Sequence, residues 1–169
     1  MILNIFGGGG SGKTTLQFAL LEQTGFVNLV PFTTRARRSR EQDGVHYHFV
    51  TPEVFEQSNL VMKRFANNSM YGVALQDITM TGIVITTLDL NGIAELERLK
   101  VDARVVFLNI SEAVRIERML GRGDDPTTVM SRIKMDREHI CYPKTIYPVL
   151  EIREENFRQN FDQVLNFVK

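Results

Sequence analysis

The chain has 169 residues, with 20 Lys plus Arg against 20 Asp plus Glu, and one cysteine. That length suits a single domain with a proper core. Balanced charge excludes a globally basic nucleic-acid binder or a surface built for anionic membranes. A lone Cys141 excludes an intrachain disulfide and suits a reducing compartment; it is expected as a small buried or half-buried side chain. No apolar run approaches the roughly 20 residues of a membrane helix, and the N-terminal run is too short for a signal peptide. The expectation is a soluble cytoplasmic protein, monomer or homodimer, without nucleic-acid or membrane partners.

Residues 2–6 read as a short apolar strand and residues 15–21 as the start of a helix. Between them, Gly7-Gly8-Gly9-Gly10-Ser11-Gly12-Lys13-Thr14 fits the spacing Gly, any four, Gly, Lys, Thr. Glycines let the backbone close around a phosphate, and loop N–H groups and the helix N-terminus then converge on the anion. Lys13 supplies a mobile cation for the β- and γ-phosphates, and the Thr14 hydroxyl can ligate magnesium. Gly7, Gly8, Gly9, Gly10, Ser11, Gly12, Lys13, Thr14 and Thr15 are therefore the candidate ATP-binding residues, with ATP and Mg2+ as cofactors.

After Gly25, residues 26–30 look like a strand, and residues 33–44 are polar and arginine-rich. Thr51-Pro52-Glu53 is a helix start: a cap, proline at the first position, then an acid. Residues 60–71 alternate loosely, as antiparallel strands do. Residues 82–87 suit a buried parallel strand, and Asp89 can cap a helix through Lys100. A strand over 103–110 follows, then a helix capped by Ser111 and running to Gly121. Asp125-Pro126 opens another through about Ile140. Residues 149–152 suit a last strand. The final helix places Phe157, Phe161, Val164, Leu165 and Val168 on one face, read as core. Alternating strands and helices predict an α/β fold, a mostly parallel sheet covered by helices. His46 and His48 are expected half-exposed on a strand, with nothing pairing them to a metal.

In the arginine-rich stretch, Arg35 and Arg38 offer planar, permanently charged forks for a second, acceptor phosphate. Tyr47 and Tyr71 can donate hydroxyl hydrogen bonds to the same oxygens. Arg37 and Arg40 are expected as surface charges. The run Thr33-Thr34-Arg35, Arg38, Glu41, Gly44, Tyr47 and Phe49 strongly resembles the signature of guanylate kinases. Met70-Tyr71-Gly72, Leu88-Asp89-Leu90-Asn91-Gly92 and residues 118–123 extend the likeness over nearly the whole chain.

The resemblance implies a three-layer P-loop NTPase fold: a core (1–30, 83–121, 140–169), a small mixed β acceptor-binding subdomain (about 31–82) and a lid (about 122–139). It implies transfer of the γ-phosphate of ATP to the phosphate of a nucleoside monophosphate, GMP or a related acceptor. Lys13, Arg122 and Arg132 are then the expected catalytic residues, with Arg118 beside them; Glu117 and Asp136 are available as their ion-pair partners. Arg35, Arg38, Tyr47, Tyr71, Thr87 and Asp89 are the expected acceptor site. Asp89 has two readings: orienting Lys13 or a magnesium-bound water, or simply capping a helix.

Four positions depart from the family pattern. Where the family reads guanine with polar groups, this chain carries Pro31, Met62, Val73 and Thr87. Weak guanine selectivity is the expectation. A kinase of another phosphorylated small molecule, a non-catalytic nucleotide- or phosphopeptide-binding module and a regulatory NTPase are the alternatives.

Overall fold

In the computed structural model, which describes residues 1–38, 41–66, 68–153 and 156–169, every residue of strand β1 (Ile2–Gly7) is buried. Leu3 and Ile5 pack with Leu16 and Leu20 of helix α1 (Lys13–Gln23) and with Phe161 and Val164 of α6 (Phe157–Phe167). Ile2 and Phe6 face the other side, against Leu96 and Ile93 of α3 (Leu90–Arg98). A strand buried on both faces belongs inside a helix-covered parallel sheet. β1 lies there, between β7 (Val84–Thr86) and β8 (Ala103–Leu108). β2 (Val27–Asn28) and β9 (Val149–Ile152) form the edges of the order β2-β7-β1-β8-β9, all parallel. Each fully buried Leu or Ile here contributes about 1.5–3 kcal/mol. The chain turns to opposite sides of β1, so a crevice opens at its carboxyl end, where ligands meet such sheets.

A second sheet is mixed, in the order β4-β3-β6-β5. It comprises β3 (Phe32–Thr33), β4 (His48–Phe49), β5 (Leu60–Ala66) and β6 (Ser69–Ala74). β3 pairs in parallel with β4, while β5 and β6 are antiparallel. α2 (Pro52–Gln57) begins where Thr51 accepts from the Val54 N–H at 3.4 Å. α4 (Glu112–Gly121) and α5 (Pro126–His139) pack through Met119, Val129 and Ile133. Two amides, one buried and one half-buried, place the loops around the crevice. Asn4 accepts from the Leu88 N–H at 2.6 Å and donates to its carbonyl at 3.2 Å, pinning the turn after β7. Asn28 donates to the Val45 carbonyl at 3.0 Å, pinning the segment that carries Tyr47.

The structure corrects several expectations. The strand expected over 26–30 is only Val27–Asn28, because it is an edge with one neighbour. The first helix begins at Lys13, so the end of the glycine loop is already its first turn. Ser111 occupies the N-cap position of α4, but its hydroxyl makes no capping bond. Cys141 is exposed rather than buried, since it follows α5 in irregular chain. Phe157 is 41% exposed at the first turn of α6, while Phe161 and Val164 below it are core. His46 lies in a turn, not on the strand with His48. Arg37 is exposed as expected; Arg40 lies outside the described residues. Among the described residues, no helix is long and apolar enough to cross a membrane.

Candidate active site

The glycine loop joins β1 to α1, and its geometry suits an anion. The N-cap of α1 is Gly12, which has no side chain to cap with, and the first turn carries no acid. Its N–H groups and dipole therefore remain for a negative ligand. The Ser11 hydroxyl is buried with no hydrogen-bond partner among the described residues. Lys13 Nζ donates to the carbonyls of Gly7 at 2.7 Å and Gly8 at 2.9 Å. Burial of that ammonium lowers its pKa to about 8; the Asp136 carboxylate opposes the shift, and Arg115 and Arg122 reinforce it.

Across from the loop, the arginine-rich segment forms the facing wall of the same cavity, about 640 Å³ in volume. Gly9, Gly10, Gly12, Lys13, Thr14 and Thr15 line one side, and Pro31, Arg38, Glu41, Tyr47 and Thr87 the other. Arg118, Arg122 and Arg132 complete it. Glu41 organises the wall. It accepts from Arg35 Nη2 at 2.8 and 3.1 Å and from the Arg38 N–H at 2.8 Å. Burial alone would raise the Glu41 carboxyl, but these hydrogen bonds and the two positive charges outweigh it and hold it low. Asp124 does the same for the third wall, with Arg122 Nη2 at 2.5 Å and Arg132 Nη1 at 2.7 Å. Those hydrogen bonds, Arg122's first, hold its carboxyl below the usual range.

Lys13, Arg38, Tyr47, Thr87, Arg118, Arg122 and Arg132 thus meet in one space. Arg35, Tyr71 and Asp89 stand behind it. Arg35 lies 5.4 Å over the Tyr47 ring and 5.6 Å over Phe49. Arg64 covers the Tyr71 ring at 4.9 Å and pairs with Asp89. The other Asp89 oxygen accepts from the Gly92 N–H at 3.0 Å. Asp89 is therefore the helix cap of its second reading, and it faces Arg64 rather than Lys13. Ser11 lines a smaller cavity of about 230 Å³ with Thr15, Leu108 and Phe157, and Arg118 borders both cavities.

Met62 and Val73 are 8% and 2% exposed in the cluster that joins the two sheets. A register shift between Val61 and Arg64 turns Met62 inward. The departing position Met62 is therefore a core residue, while Arg64 emerges against Tyr71 and Asp89. Sequence reasoning missed Arg64, Arg115 and a specific role for Asp136. Glu41, a lone acid following four arginines, was the legible signal of this wall.

Thr14 is exposed and lines the cavity next to Lys13. Among the described residues no cluster of three His, Cys, Asp or Glu could hold a metal. This donor set fits magnesium, which takes few protein ligands and completes its shell with phosphates and water.

A strand, glycine loop and helix facing an arginine-lined wall across one cavity define a P-loop nucleotide-binding protein of the phosphoryl-transfer class. The family model described as guanylate kinase matches residues 2–166. The guanylate kinase of Schizosaccharomyces pombe is 33% identical over 152 residues, 82% of this chain and 74% of that protein. That of Saccharophagus degradans is 37% identical over 131 residues, covering 72% and 64%. The chain spans about two thirds to three quarters of the length of these relatives. The crystal structure of guanylate kinase from Anaplasma phagocytophilum matches with a TM-score of 0.66 and 21% identity, over 99% of this chain and 84% of that one, and shares the fold. The chain belongs to the guanylate kinase family.

Proposed function

We propose that this chain transfers the γ-phosphate of ATP to the phosphate of a nucleoside monophosphate, GMP or a close relative, and discriminates bases weakly. One observation carries the reading: Lys13 of the phosphate loop and Arg38 of the facing wall line the same cavity. Two anions gripped from those sides lie close enough for direct transfer, which needs positioning and charge neutralisation more than covalent work. Arg38 and the Tyr47 hydroxyl hold the acceptor phosphate; burial raises the Tyr47 pKa, keeping the phenol a donor. Arg35 braces this wall through Glu41. Thr14 would hold the magnesium, which neutralises charge shared between the donor phosphates. Residues 31–82 act as the acceptor-binding segment. Residues 122–139 act as the lid, with Arg122 and Arg132 exchanging Asp124 for the moving phosphoryl group and excluding water. The smaller cavity beside Ser11 and Phe157 takes the donor's nucleoside. The protein works in the cytoplasm, where the exposed Cys141 stays reduced.

Weak base selection follows from what faces the acceptor. Sites that reject the wrong base about 10⁴-fold do so by stranding buried polar groups. Here Pro31 and Thr87 line the cavity, and Met62 and Val73 are in the core. ADP formation from ATP and magnesium with GMP, dGMP, IMP, AMP and UMP in turn tests both claims. Acceptor-dependent ADP is expected, with kcat/KM for GMP and IMP within about 100-fold of each other, far short of the 10⁴-fold of a stranding site. ADP without any acceptor would make the chain an NTPase; none at all would make it a binding module. Tight binding of guanine nucleotides alone would overturn the weak selection.

Lys13 adds a pH signature. The charged amine holds phosphates and the neutral one does not. With a pKa of about 8 in the free protein, kcat/KM for ATP should fall as pH rises from 7.5 to 9.5, approaching about tenfold per unit above 8. A flat profile over that range, with the protein still folded, would remove Lys13 as the titrating group.

A further inference from the structure

We propose that Arg115 and Asp136 are positioning residues that clasp the phosphate loop at Gly9 and so hold Arg132 against it. Arg115 on α4 is 6% exposed and donates Nε to the Gly9 carbonyl at 2.9 Å. Asp136 on α5 accepts from the Gly9 N–H at 2.9 Å and, through the same oxygen, from Arg115 Nη2. Both polar groups of Gly9 are thus engaged, one by each helix, and the helices are bound to each other at the same point. Gly8 makes room for this. A Cβ there would fall on the Arg115 guanidinium and within 2.6 Å of Asp136 Oδ2.

A buried ion pair is a weak source of stability, because desolvation offsets its attraction. Geometry is the better account of this one. Arg132 lies four residues before Asp136, on the same face of α5. Its Cδ comes within 4.0 Å of where a Gly9 Cβ would stand. Anchoring Asp136 at Gly9 therefore fixes the stem of Arg132 beside the loop, leaving the guanidinium to move between Asp124 and the transferring phosphoryl group. The inference rests on the phosphotransferase reading for its functional half, and on the loop contacts alone for its structural half.

The test uses Asp136→Ala, Asp136→Asn and the apolar double variant Arg115→Met/Asp136→Leu in the full chain. Misplacing a catalytic group by about 1 Å costs roughly 10²-fold. The Ala and double variants should therefore lose about 10- to 100-fold in kcat for acceptor-dependent ADP formation, with KM for ATP changed less than about threefold. Asp136→Asn keeps an oxygen for the Gly9 N–H and should recover part of the loss. Amide hydrogen exchange gives a readout free of turnover: the Gly9 N–H should be protected in the wild-type protein without nucleotide, and lose that protection in the Ala and double variants wherever they fold. Wild-type kcat in a folded Ala or double variant would overturn the proposal. So would a wild-type Gly9 amide that exchanges freely until nucleotide is added, and that measurement decides even where a variant fails to fold. A wild-type protein with no turnover at all would count against the phosphotransferase reading, while exchange still decides the clasp.

Discussion

Lys13→Met is expected to lower acceptor-dependent ADP formation by about 10²- to 10³-fold, in line with the loss of a preorganised charge at a transferring group, and to leave the fold intact. The second half follows from the structure. The Lys13 ammonium is buried against two loop carbonyls, and its lowered pKa shows that the folded protein disfavours the charged form. Methionine of similar length removes that desolvated charge and keeps the stem. The melting temperature should therefore stay within a few degrees of wild type. A coupled ADP assay and a thermal melt on the same preparation separate lost chemistry from lost structure. Turnover near the wild-type value would end the assigned role of Lys13.

Gly10→Ala should act on the fold itself. Gly10 has φ +77°, and an added Cβ would lie 2.5 Å from the Arg115 carbonyl oxygen and 3.1 Å from Met119 Cγ. The left-handed conformation alone costs an alanine about 1–2 kcal/mol. The carbonyl belongs to the backbone of α4 and cannot rotate aside, so the helix must shift and its packing on α5 loosen. A total of about 3 kcal/mol corresponds to roughly 6–12 °C in Tm for a domain of this size. Gly25→Ala is the control: nothing lies within 4 Å of its added Cβ and its φ is not left-handed. That variant should melt at or slightly above wild type. Equal melting temperatures for the two would show that α4 does not bear on the loop as the structure has it.

The phosphate loop was legible because everything it needs is contiguous. A strand, six loop positions and a helix start fit in some twenty residues, and local spacing fixes where the amides point. The alternation of strands and helices was legible for the same reason, from Ile2–Gly7 through to Val149–Ile152. The acceptor wall was legible only in part. Arg35 and Arg38 share one signature, yet Glu41 draws Arg35 into the wall and leaves Arg38 lining the cavity. Met62 stands where the family reads guanine, yet a register shift between Val61 and Arg64 accompanies its place in the core, an irregularity that no local pattern marks. Asp89 offered two roles on equal terms until Arg64, 25 positions earlier, proved to face it.

Arg115 and Asp136 carry no local signal at all. Each is an ordinary charge on a helix, separated by 106 and 127 positions from the glycine they hold. By itself the sequence determined that this protein carries a glycine loop of phosphate-binding pattern between strand and helix, belongs with guanylate kinases and stacks helices on a parallel sheet, since short-range spacing sets backbone geometry and burial. Which charged groups converge on that cradle was decided only when α4 and α5 packed beside the loop, because a long side chain finds its partner through the placement of whole elements rather than through its neighbours in the chain.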